Sequence, residues 1–472
     1  MDFETALDIE TRRFSPEPQL HLHEKQIAAL SSVYEGQDAL VVLPTGYGKS
    51  VIFQLLPYIF ALKHRDVNTV RTVLVISPLN SLIFEQVKKL RARGMARGMA
   101  AAMLDVNFKP SAHSGSGADE SEAPDVELKR DGVFAFSETE DVHVLYAHPE
   151  AIVSSKEGRR FLLRKRFKEK LVAVAVDEAH CCIDWGHEFR PDYSQLCVLA
   201  SLFPDVPHLA LTATATRKYE EGIISSLCLR NPVRIRENPD RPNIIYEKYQ
   251  RLPNLRGKDS YSAVLSPIAE DLKLRKLDFP LTFIYLPLEW CGYAYVLFDH
   301  ILGKDQYQPI NSLPLPKHRL FNQYHAPQTE AMKTEILSSL IDSSSPLRVV
   351  FATVALGMGL DCQQVRQVIH IGVPRTVEFY FQETGRAGRD GNFARAVMYY
   401  NNSDIASNRD MSNAMRQYCQ NSTSCLREFL LSYFDFEKPP SDSPKHLCCS
   451  VCKNSCTCWS CSSHEDVEME AV

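Results

Sequence analysis

The sequence predicts an α/β protein in which two successive lobes each contain a parallel sheet flanked by helices. Three observations predict this class. Short apolar runs alternate with helical stretches up to about residue 236, the same alternation resumes and continues to about residue 407, and residues 237–243 between them contain two prolines and resist regular structure. The chain has 472 residues, of which 44% are hydrophobic, so it is long enough for about three globular domains.

The first lobe, residues 1–237, is predicted to contain strands at 39–43, 72–76, 142–146, 171–176 and 208–212. An insertion at about 94–141, rich in Ser, Gly, Ala and acidic residues, interrupts the alternation. We expect its middle, 111–122, to be a mobile surface segment. The stretch 156–170 holds eight basic residues. An amphipathic helix with a solvated basic face, a DNA-contacting groove and a nuclear import signal are the alternatives for it.

The clearest chemical signal lies between the strand at 39–43 and a helix that starts at Lys49 and is expected to kink or end near Pro57. Two glycines, a lysine and a serine there have the spacing of a phosphate-binding loop. The loop reads Leu43-Pro44-Thr45-Gly46-Tyr47-Gly48-Lys49-Ser50. The glycines let backbone N–H groups approach phosphate oxygens, Lys49 would reach the β- and γ-phosphates, and Ser50 would bind Mg²⁺.

The strict form of this pattern has glycine where Leu43 stands. A glycine-rich turn without function is therefore the alternative. The flanking strand and helix favour ATP binding, with Thr45, Gly46 and Gly48 lining the loop.

An acidic pair, Asp177 and Glu178, directly follows the strand at 171–176. Carboxylates at the carboxyl end of a buried strand lie where α/β sheets bind ligands. Asp177 would hold Mg²⁺, and Glu178 would orient or deprotonate the attacking water. The alternative is an ordinary helix start, where the helix dipole favours acidic residues. The phosphate loop upstream favours the catalytic interpretation.

The second lobe, residues 244–410, follows a hinge at 238–243 and has no phosphate loop. Its strands are predicted at 281–286, 348–352, 367–371 and 396–400. Residues 411–461 contain eight of the fourteen cysteines, which in a chain without a secretion signal indicate a metal site before disulfides. Residues 462–472 form an acidic tail that is predicted to be disordered.

Composition excludes some classes of protein. The formal net charge is −5, so a nucleic-acid site would have to be a local basic groove. No apolar run approaches the roughly 20 residues of a membrane span, and the acidic N-terminus lacks the apolar core of a signal peptide. We therefore expect no membrane partner.

A series of motifs makes the chain resemble the RecQ family of superfamily 2 DNA helicases over about residues 20–452. The most specific are Trp-Gly-His-Glu-Phe-Arg-Pro at 185–191 and Gln-Glu-Thr-Gly-Arg-Ala-Gly-Arg at 382–389. In family order the motifs occupy 43–50, 77–82, 146–150, 177–180, 185–193, 211–216, 240–243, 352–361 and 382–391. The resemblance implies two RecA-like lobes and a small helical zinc-binding module. The chain would be a short form without the winged-helix and C-terminal helical accessory domains.

The resemblance also implies roles at the nucleotide. Gln26 matches the glutamine that reads adenine, and Asp361 would belong to the nucleotide site. Arg389 would act as an arginine finger from the second lobe on the charge that develops at the γ-phosphate, assisted by Arg386 and Gln382. A solvated loop is the alternative for the arginines, and an exposed helix position is the alternative for Gln26.

The loop at 185–190 resembles the family's aromatic-rich loop, which senses single-stranded DNA. Trp185 and Phe189 offer stacking faces, and Arg190 offers a cation. A buried aromatic pair that packs one lobe on the other is the alternative. By resemblance, three further residues would couple DNA to hydrolysis: His180, Thr212 and Thr214.

The cysteine-rich segment resembles the family's zinc module. Cys425 precedes an apolar helix at 428–434, and Cys449 and Cys452 have the Cys-x-x-Cys spacing of zinc ligands. The preferred fourth ligand is Cys456, with Cys448 as the alternative. Four thiolates around Zn²⁺ would stabilise a module too small to be stable alone. Free reactive thiols are the other interpretation.

Together these features predict an ATP-, Mg²⁺- and Zn²⁺-dependent DNA helicase. By resemblance it would move 3′ to 5′ on single-stranded DNA, unwind forked or duplex DNA in repair, recombination or replication, and act in the nucleus. The first alternative is a DNA-stimulated ATPase, translocase or annealing factor without efficient unwinding. The second is a catalytically silent binding module, against which Lys49, Glu178 and Arg389 argue.

Overall fold

The computed structural model describes residues 1–14, 20–66, 69–78, 83, 86, 90, 100–106, 126–129, 141–184, 191–310, 312–357, 362–441, 443–459 and 461. The chain divides into two compact units, Met1–Pro239 and Asp240–Val472. The division falls within the segment 238–243 that the sequence assigns to a hinge. The cysteine-rich segment is part of the second unit.

Within its described residues, the first unit contains an eight-stranded sheet with helices around it. Its strands are β1 Ala39–Val42, β2 Thr72–Ile76, β3 Ala101–Val106, β4 Val126–Lys129, β5 Val144–Ala147, β6 Leu171–Val176, β7 His208–Thr212 and β8 Val233–Arg236. Its helices are α1 Phe3–Phe14, α2 Glu24–Tyr34, α3 Lys49–Lys63, α4 Pro149–Val153, α5 Lys156–Leu162, α6 Lys165–Lys170, α7 Cys181–Asp184, α8 Pro191–Ser194, α9 Val198–Leu202 and α10 Arg217–Leu227.

The strand order β4-β3-β5-β2-β6-β7-β1-β8 brings the predicted functional segments side by side. β6, β7 and β1 are parallel neighbours, with Val42 opposite Thr212 and Val176 opposite Ala210. Every residue of these three strands is buried, as in sheets covered on both faces. Since the carboxyl ends of neighbouring parallel strands share one edge, the loops after Val42, Val176 and Thr212 emerge together.

Three strands of the first unit were missed from the sequence: β3, β4 and the edge strand β8, which runs parallel to β1. β3 and β4 lie inside the segment 94–141 that the sequence presents as an insertion. β3 runs parallel to β5, and β4 pairs antiparallel with β3. Short strands at a sheet edge leave weak sequence signals. The segment 111–122, expected to be mobile, lies outside the described residues.

Two helix predictions are corrected. α3 continues through Pro57 to Lys63, because Pro57 and the apolar residues around it are buried, and this packing outweighs the roughly 3 kcal/mol cost of an interior proline. The basic stretch 156–170 forms two short helices, α5 and α6, with Leu163 and Arg164 between them. Its second helix buries none of its side chains, so its basic face is solvated.

The second unit contains, among its described residues, a six-stranded sheet that is parallel throughout, in the order β11-β12-β10-β13-β14-β9. Its strands are β9 Ile244–Gln250, β10 Thr282–Tyr285, β11 Phe321–Tyr324, β12 Val349–Ala352, β13 Gln367–Ile371 and β14 Ala394–Tyr400. Its helices are α11 Lys258–Arg275, α12 Leu288–Leu302, α13 Glu330–Ile341, α14 Val377–Thr384, α15 Asn413–Gln420, α16 Leu426–Tyr433 and α17 Ser450–Lys453. The sequence missed both edge strands, β9 and β11.

The cysteine-rich segment docks on the edge strand β9. The Tyr246 N–H donates to the carbonyl oxygen of Cys448 at 3.2 Å, and Tyr246 forms an isolated bridge with Cys449. Lys248 Nζ donates to the Tyr418 and Cys419 carbonyl oxygens at 2.8 and 2.6 Å. Backbone pairing and a half-buried ammonium therefore attach this segment to the second sheet. In the part of the chain that the structure describes, no helix combines the length and apolarity that crossing a membrane requires.

Candidate functional site

The phosphate loop, residues 43–50 between β1 and α3, has a backbone suited to anion binding. Gly46 and Gly48 have φ angles of +86° and +83°, a region that side-chain-bearing residues rarely adopt. Gly48 is the N-cap of α3, so the first N–H groups of the helix belong to this loop. Thr45 and Ser50 are half-buried beside them. The N–H groups and hydroxyls fit a phosphate with its metal ion.

Lys49 carries the positive charge of the loop. Its Nζ donates to the carbonyl oxygens of Leu43 and Pro44 at 3.0 and 3.4 Å. The ammonium therefore lies over the loop, where phosphate oxygens would compete for the same donors. The predicted contact of Lys49 with the β- and γ-phosphates stays a prediction.

Gln26 holds the phosphate loop from the side. Its Nε2 donates to the Tyr47 and Gly48 carbonyl oxygens at 2.9 and 3.0 Å, and its Oε1 accepts from the His23 N–H at 2.8 Å. The residue is only 3% exposed, so the alternative of an exposed helix position is wrong. Its predicted adenine contact stays a prediction.

Asp177 is a buried carboxylate at the carboxyl end of β6, with 5% exposure. Its Oδ2 accepts from Gln86 Nε2 at 3.3 Å, and its Oδ1 from the Glu178 N–H at 3.1 Å. Burial, reinforced by the Glu178 charge and opposed by Lys49, raises the pKa of Asp177 to about 7. A buried carboxylate with so little compensation strongly prefers a nearby cation. Its hard oxygen atoms fit Mg²⁺.

Glu178 stands in a strained position next to Asp177. Its φ is +50°, a conformation that costs a residue other than glycine about 1–2 kcal/mol. Its Oε2 is buried and accepts no hydrogen bond from the described residues, although His180 Nδ1 lies 3.4 Å away. An acceptor held in this way suits the orientation of a water molecule.

His180 connects this carboxylate to the loop after β7. His180 Nδ1 lies 3.0 Å from Thr212 Oγ1, and that hydroxyl donates to the Thr214 carbonyl oxygen at 3.2 Å. The structure therefore brings together the predicted coupling residues His180, Thr212 and Thr214 beside Glu178. The other predicted site residues Trp185, Phe189, Arg190 and Asp361 lie outside the described residues.

The arginine loop, residues 385–391 after α14, carries the predicted catalytic arginines of the second unit. Gln382 and Arg386 are 8% and 3% exposed, and Arg389 is half-buried. The alternative of a solvated loop is therefore wrong for Arg386. Beneath the loop, His370 Nε2 lies 2.8 Å from Glu383 Oε2, which links α14 to β13.

Sequence reasoning missed the residues that hold this loop, because it assigned 240–243 to a hinge. Asn243 Nδ2 donates to the Gly388 and Asn392 carbonyl oxygens, both at 2.8 Å. Arg241 Nη2 donates to the Ala387 carbonyl oxygen at 3.2 Å and also to that of Gly388. Gly388 has φ +57°, and a Cβ there would lie 2.4 Å from Asn243 Nδ2. Polar side chains in a proline-bounded turn are the only sequence signal of this role.

Arg427, on α16, connects the cysteine-rich segment to the same residues. Its Nη1 donates to Asp240 Oδ1 and to the Arg241 carbonyl oxygen, both at 2.7 Å. Its Nη2 donates to the Ile244 carbonyl oxygen, and the residue is 3% exposed. Removing one partner of such a buried ion pair typically costs about 3–5 kcal/mol. The helix after Cys425 and the support of the arginine loop are therefore firmly joined.

The first thiol cluster consists of Cys425, Cys448, Cys449 and Cys452, whose Sγ atoms all lie within 4.8 Å of one another. Cys425 Sγ and Cys448 Sγ are 3.5 Å apart, close to the roughly 3.8 Å edge of a tetrahedron with zinc–sulfur bonds of about 2.3 Å. The Leu426 and Cys452 N–H groups donate to Cys449 Sγ at 3.4 Å, as outer-shell donors do around metal-bound thiolates. The donor set fits Zn²⁺.

This arrangement corrects the preferred fourth ligand from Cys456 to Cys448. The hydrogen bond from the Tyr246 N–H to the Cys448 carbonyl oxygen attaches Cys448, and with it the adjacent Cys449, to strand β9. Cys456 lies beyond the end of α17 and belongs to a second cluster. That cluster consists of His446, Cys456, Cys458 and Cys461.

Three family profiles match successive parts of the chain. A DEAD/DEAH box helicase profile matches residues 23–222, a helicase conserved C-terminal domain matches 312–391, and a RecQ zinc-binding profile matches 389–461. The first covers the phosphate loop and the acidic pair, the second ends at the arginine loop, and the third covers both thiol clusters.

Curated relatives match nearly the whole chain. The ATP-dependent helicase SGS1 of Saccharomyces cerevisiae is 31% identical over 475 residues, which cover 94% of this chain and 29% of the relative. The putative ATP-dependent DNA helicase Q1 of Caenorhabditis briggsae is 30% identical over 457 residues, covering 95% of this chain and 65% of the relative. The chain thus spans from 29% to 65% of these relatives' own length.

Among solved structures, the Mycobacterium smegmatis helicase Lhr bound to ssDNA and AMP-PNP matches with a TM-score of 0.58 and 19% identity. The match covers 84% of this chain and 48% of that protein. At this identity it speaks for the fold, and it confirms the predicted class of two parallel-sheet, RecA-like lobes flanked by helices.

Proposed function

The chain belongs to the RecQ family of helicases, and from this premise we propose that it hydrolyses ATP with Mg²⁺ in order to move along and unwind DNA. One observation carries the proposal. At a single sheet edge, a phosphate loop with its lysine lies beside a buried carboxylate with a raised pKa and a second carboxylate with an unsatisfied acceptor. These are the groups that a nucleoside triphosphatase uses to bind phosphate and metal and to position water.

In the proposed reaction, Lys49 leaves its carbonyl partners for phosphate oxygens, and Asp177 and Ser50 hold the metal ion. Mg²⁺, when bound, supplies neutralising charge to the phosphates. Glu178 orients the attacking water or accepts its proton. Arg389, with Arg386 and Gln382, stabilises the charge that develops on the γ-phosphate. Gln26 and Asp361 belong to the nucleotide site.

DNA is the proposed nucleic-acid substrate along which the protein moves. Curated relatives carry names such as ATP-dependent DNA helicase, and the motifs of the chain resemble those of DNA-directed enzymes. Trp185, Phe189 and Arg190 would stack on and pair with single-stranded DNA. The hydrogen-bonded series His180–Thr212–Thr214 would couple the binding of DNA to the position of Glu178. We further propose that the protein moves from 3′ to 5′ on single-stranded DNA. It would act in DNA repair, recombination or replication, and it would reside in the nucleus.

Zinc has a structural role in this proposal. The thiolates of Cys425, Cys448, Cys449 and Cys452 would hold Zn²⁺, which stabilises the docking of α16 and α17 on β9. Through Arg427 the same module supports the arginine loop.

The test uses the purified chain with ATP and Mg²⁺, with and without single-stranded DNA, and then with forked duplexes that carry a 3′ or a 5′ tail. We expect DNA-stimulated hydrolysis and unwinding of the 3′-tailed substrate. Glu178→Gln should lose hydrolysis and retain nucleotide binding, whereas Glu221→Gln, a matched change at an exposed glutamate of the same unit, should behave as wild type.

Absence of DNA stimulation, or wild-type turnover in Glu178→Gln, would refute the proposal. Stimulated hydrolysis without strand separation would instead identify a translocase or an annealing factor. Preference for the 5′ tail would reject the proposed polarity alone.

A further inference from the structure

The second thiol cluster lies outside the set of residues that the first zinc ion needs. His446, Cys456, Cys458 and Cys461 each offer one ligand atom, and these four atoms all lie within 4.8 Å of one another. His446 belongs to a short 3₁₀ turn, Lys445–Leu447, directly before the first cluster. The three cysteines follow α17. All four residues are half-buried, so burial of apolar thiols in a core does not account for their convergence.

Hydrogen bonding does not account for it either. His446 Nδ1 lies 3.4 Å from Cys456 Sγ, 3.3 Å from Cys458 Sγ and 3.4 Å from Cys461 Sγ. A ring nitrogen has one proton or one lone pair, so it forms one good hydrogen bond in its plane. Three sulfur atoms at nearly equal distance from one nitrogen are the geometry of a shared centre between them.

The distances match a tetrahedron around a zinc ion. With Zn–S bonds of about 2.3 Å and Zn–N bonds of about 2.0–2.1 Å, the N···S edge is about 3.6 Å and the S···S edge about 3.8 Å. The three observed N···S distances, 3.3 to 3.4 Å, are within about 0.3 Å of that edge. Cys458 and Cys461 also have the Cys-x-x-Cys spacing of zinc ligands.

We propose that His446, Cys456, Cys458 and Cys461 form a second, Cys₃His structural zinc site. Thiolate and imidazole donors in a closed tetrahedron favour Zn²⁺ over hard cations such as Mg²⁺. A disulfide is the competing use of such thiols, but all fourteen cysteines lie among the described residues and none is in a disulfide.

The two sites interleave along the chain. His446 precedes Cys448 and Cys449 of the first site, and Cys456 follows Cys452. An ion in the second site therefore closes a loop around the three consecutive ligands of the first. Closing that loop lowers the conformational entropy of the unfolded segment, so each ion favours binding of the other. The second ion also fixes residues 456–461 against the 3₁₀ turn.

The test is the zinc content of the full chain, purified under reducing conditions without chelator and measured by mass spectrometry of the metal against protein concentration. We expect two zinc ions per wild-type chain. Cys458→Ser and His446→Ala should each retain one. Cys228→Ser, at an exposed thiol outside both clusters, should retain two. Circular dichroism, together with the one retained zinc, shows whether the variants are folded.

Cobalt substitution gives a second readout. Trp459 is 84% exposed and lies between two of the proposed ligands in sequence. Co²⁺ bound at the second site should quench its fluorescence, and Cys458→Ser should abolish that part of the quenching, as should Trp459→Phe. One zinc per wild-type chain, two zinc ions retained in Cys458→Ser, or a disulfide between any two of the three cysteines would overturn the proposal. None of these outcomes depends on helicase activity.

Discussion

The phosphate loop of the first unit and the arginine loop of the second are both glycine-containing turns that follow a regular element and carry cations with proposed catalytic roles. They differ in what holds them. Gln26 and Lys49 hold the phosphate loop through hydrogen bonds that span 5 to 22 residues of sequence. Arg241 and Asn243 hold the arginine loop across 144 to 147 residues. One loop is shaped locally, and the other depends on the tertiary fold of its unit.

The two loops also differ in electrostatics. Beside the phosphate loop, burial raises the pKa of Asp177 to about 7. In the arginine loop, the Arg366 guanidinium and the Asn392 amide outweigh burial and lower the pKa of Asp390 to about 2. The hydrogen bonds and the Lys49 charge around the first carboxylate do not outweigh its burial, whereas those around the second do. The first carboxylate therefore suits the proposed metal ion, and the second stabilises the arginine loop in its ionised form.

The largest effect is expected from removing the cation of the phosphate loop. Lys49→Ala should lower DNA-stimulated ATP hydrolysis about 100-fold or more, because the charge on the transferred phosphate loses a preorganised donor. Steady-state ATPase assays measure this. Lys63→Ala, at the other end of the same helix, is the control and should remain near wild type. Comparable activity of the two variants would show that the loop is not the nucleotide site.

The contributions of Asp177 and Asp390 to folding stability should depend on pH in different ways. Because the folded-state pKa of Asp177 lies above its ordinary value of 3.8, its contribution to stability is present at low pH and is lost as pH rises through about 7. Without Mg²⁺ and nucleotide, Asp177→Asn should therefore gain stability relative to wild type from about pH 5 to about pH 8, by up to roughly 3 kcal/mol at 1.4 kcal/mol per pKa unit. Urea unfolding at each pH measures the difference.

Asp390→Asn is the matched control for that experiment. A carboxylate with a lowered pKa contributes stability above its ordinary pKa and loses it only as pH falls through the folded-state value, here about 2. Its difference from wild type should stay constant over the same pH range. Parallel curves for Asp177→Asn and wild type would contradict the difference between the two loops.

A smaller effect is expected from crowding the arginine loop. Gly388→Ala forces a Cβ to within 2.4 Å of Asn243 Nδ2 and 2.7 Å of the Asn392 carbonyl oxygen, at φ +57°. We expect a loss of about 1–3 kcal/mol in stability and about tenfold slower turnover. Gly391→Ala, at φ +83° with nothing within 4 Å, separates backbone strain from crowding. Equal losses of stability and turnover in both variants would show that backbone strain alone explains the effect, and would contradict the role of the contact with Asn243.

The smallest effect tests the two holding side chains directly. Asn243→Ala removes one hydrogen bond to the arginine loop, at Gly388, and one to Asn392 directly after it. It should lower kcat about fivefold, with KM for ATP unchanged, since each bond contributes about 1 kcal/mol. Gln26→Ala removes the support of the phosphate loop and should mainly raise KM. Steady-state kinetics of both variants provide the measurement. The reverse assignment of kcat and KM would contradict the proposed division of roles.

Features that depend on residues close in sequence could be predicted, and features that depend on residues distant in sequence could not. The buried strands and the phosphate loop have local signatures, and the structure confirms the strands β1, β2, β5, β6 and β7 within two residues. The roles of Arg241, Asn243 and Arg427 could not be predicted, because their partners are distant in sequence. The choice between Cys448 and Cys456 failed for a related reason: ligand spacing fits several thiols, and pairing of Tyr246 with the cysteine-rich segment decides between them.

The ion pair of Arg427 with Asp240 has a consequence for inherited or engineered variation. Together with the hydrogen bond from the Tyr433 hydroxyl to Glu378, this ion pair links the helix after Cys425 to the elements that support the arginine loop. A substitution at Cys425 or its fellow ligands is therefore expected to lower turnover as well as the stability of the zinc module, so the specific activity of the folded fraction needs to be measured beside protein abundance.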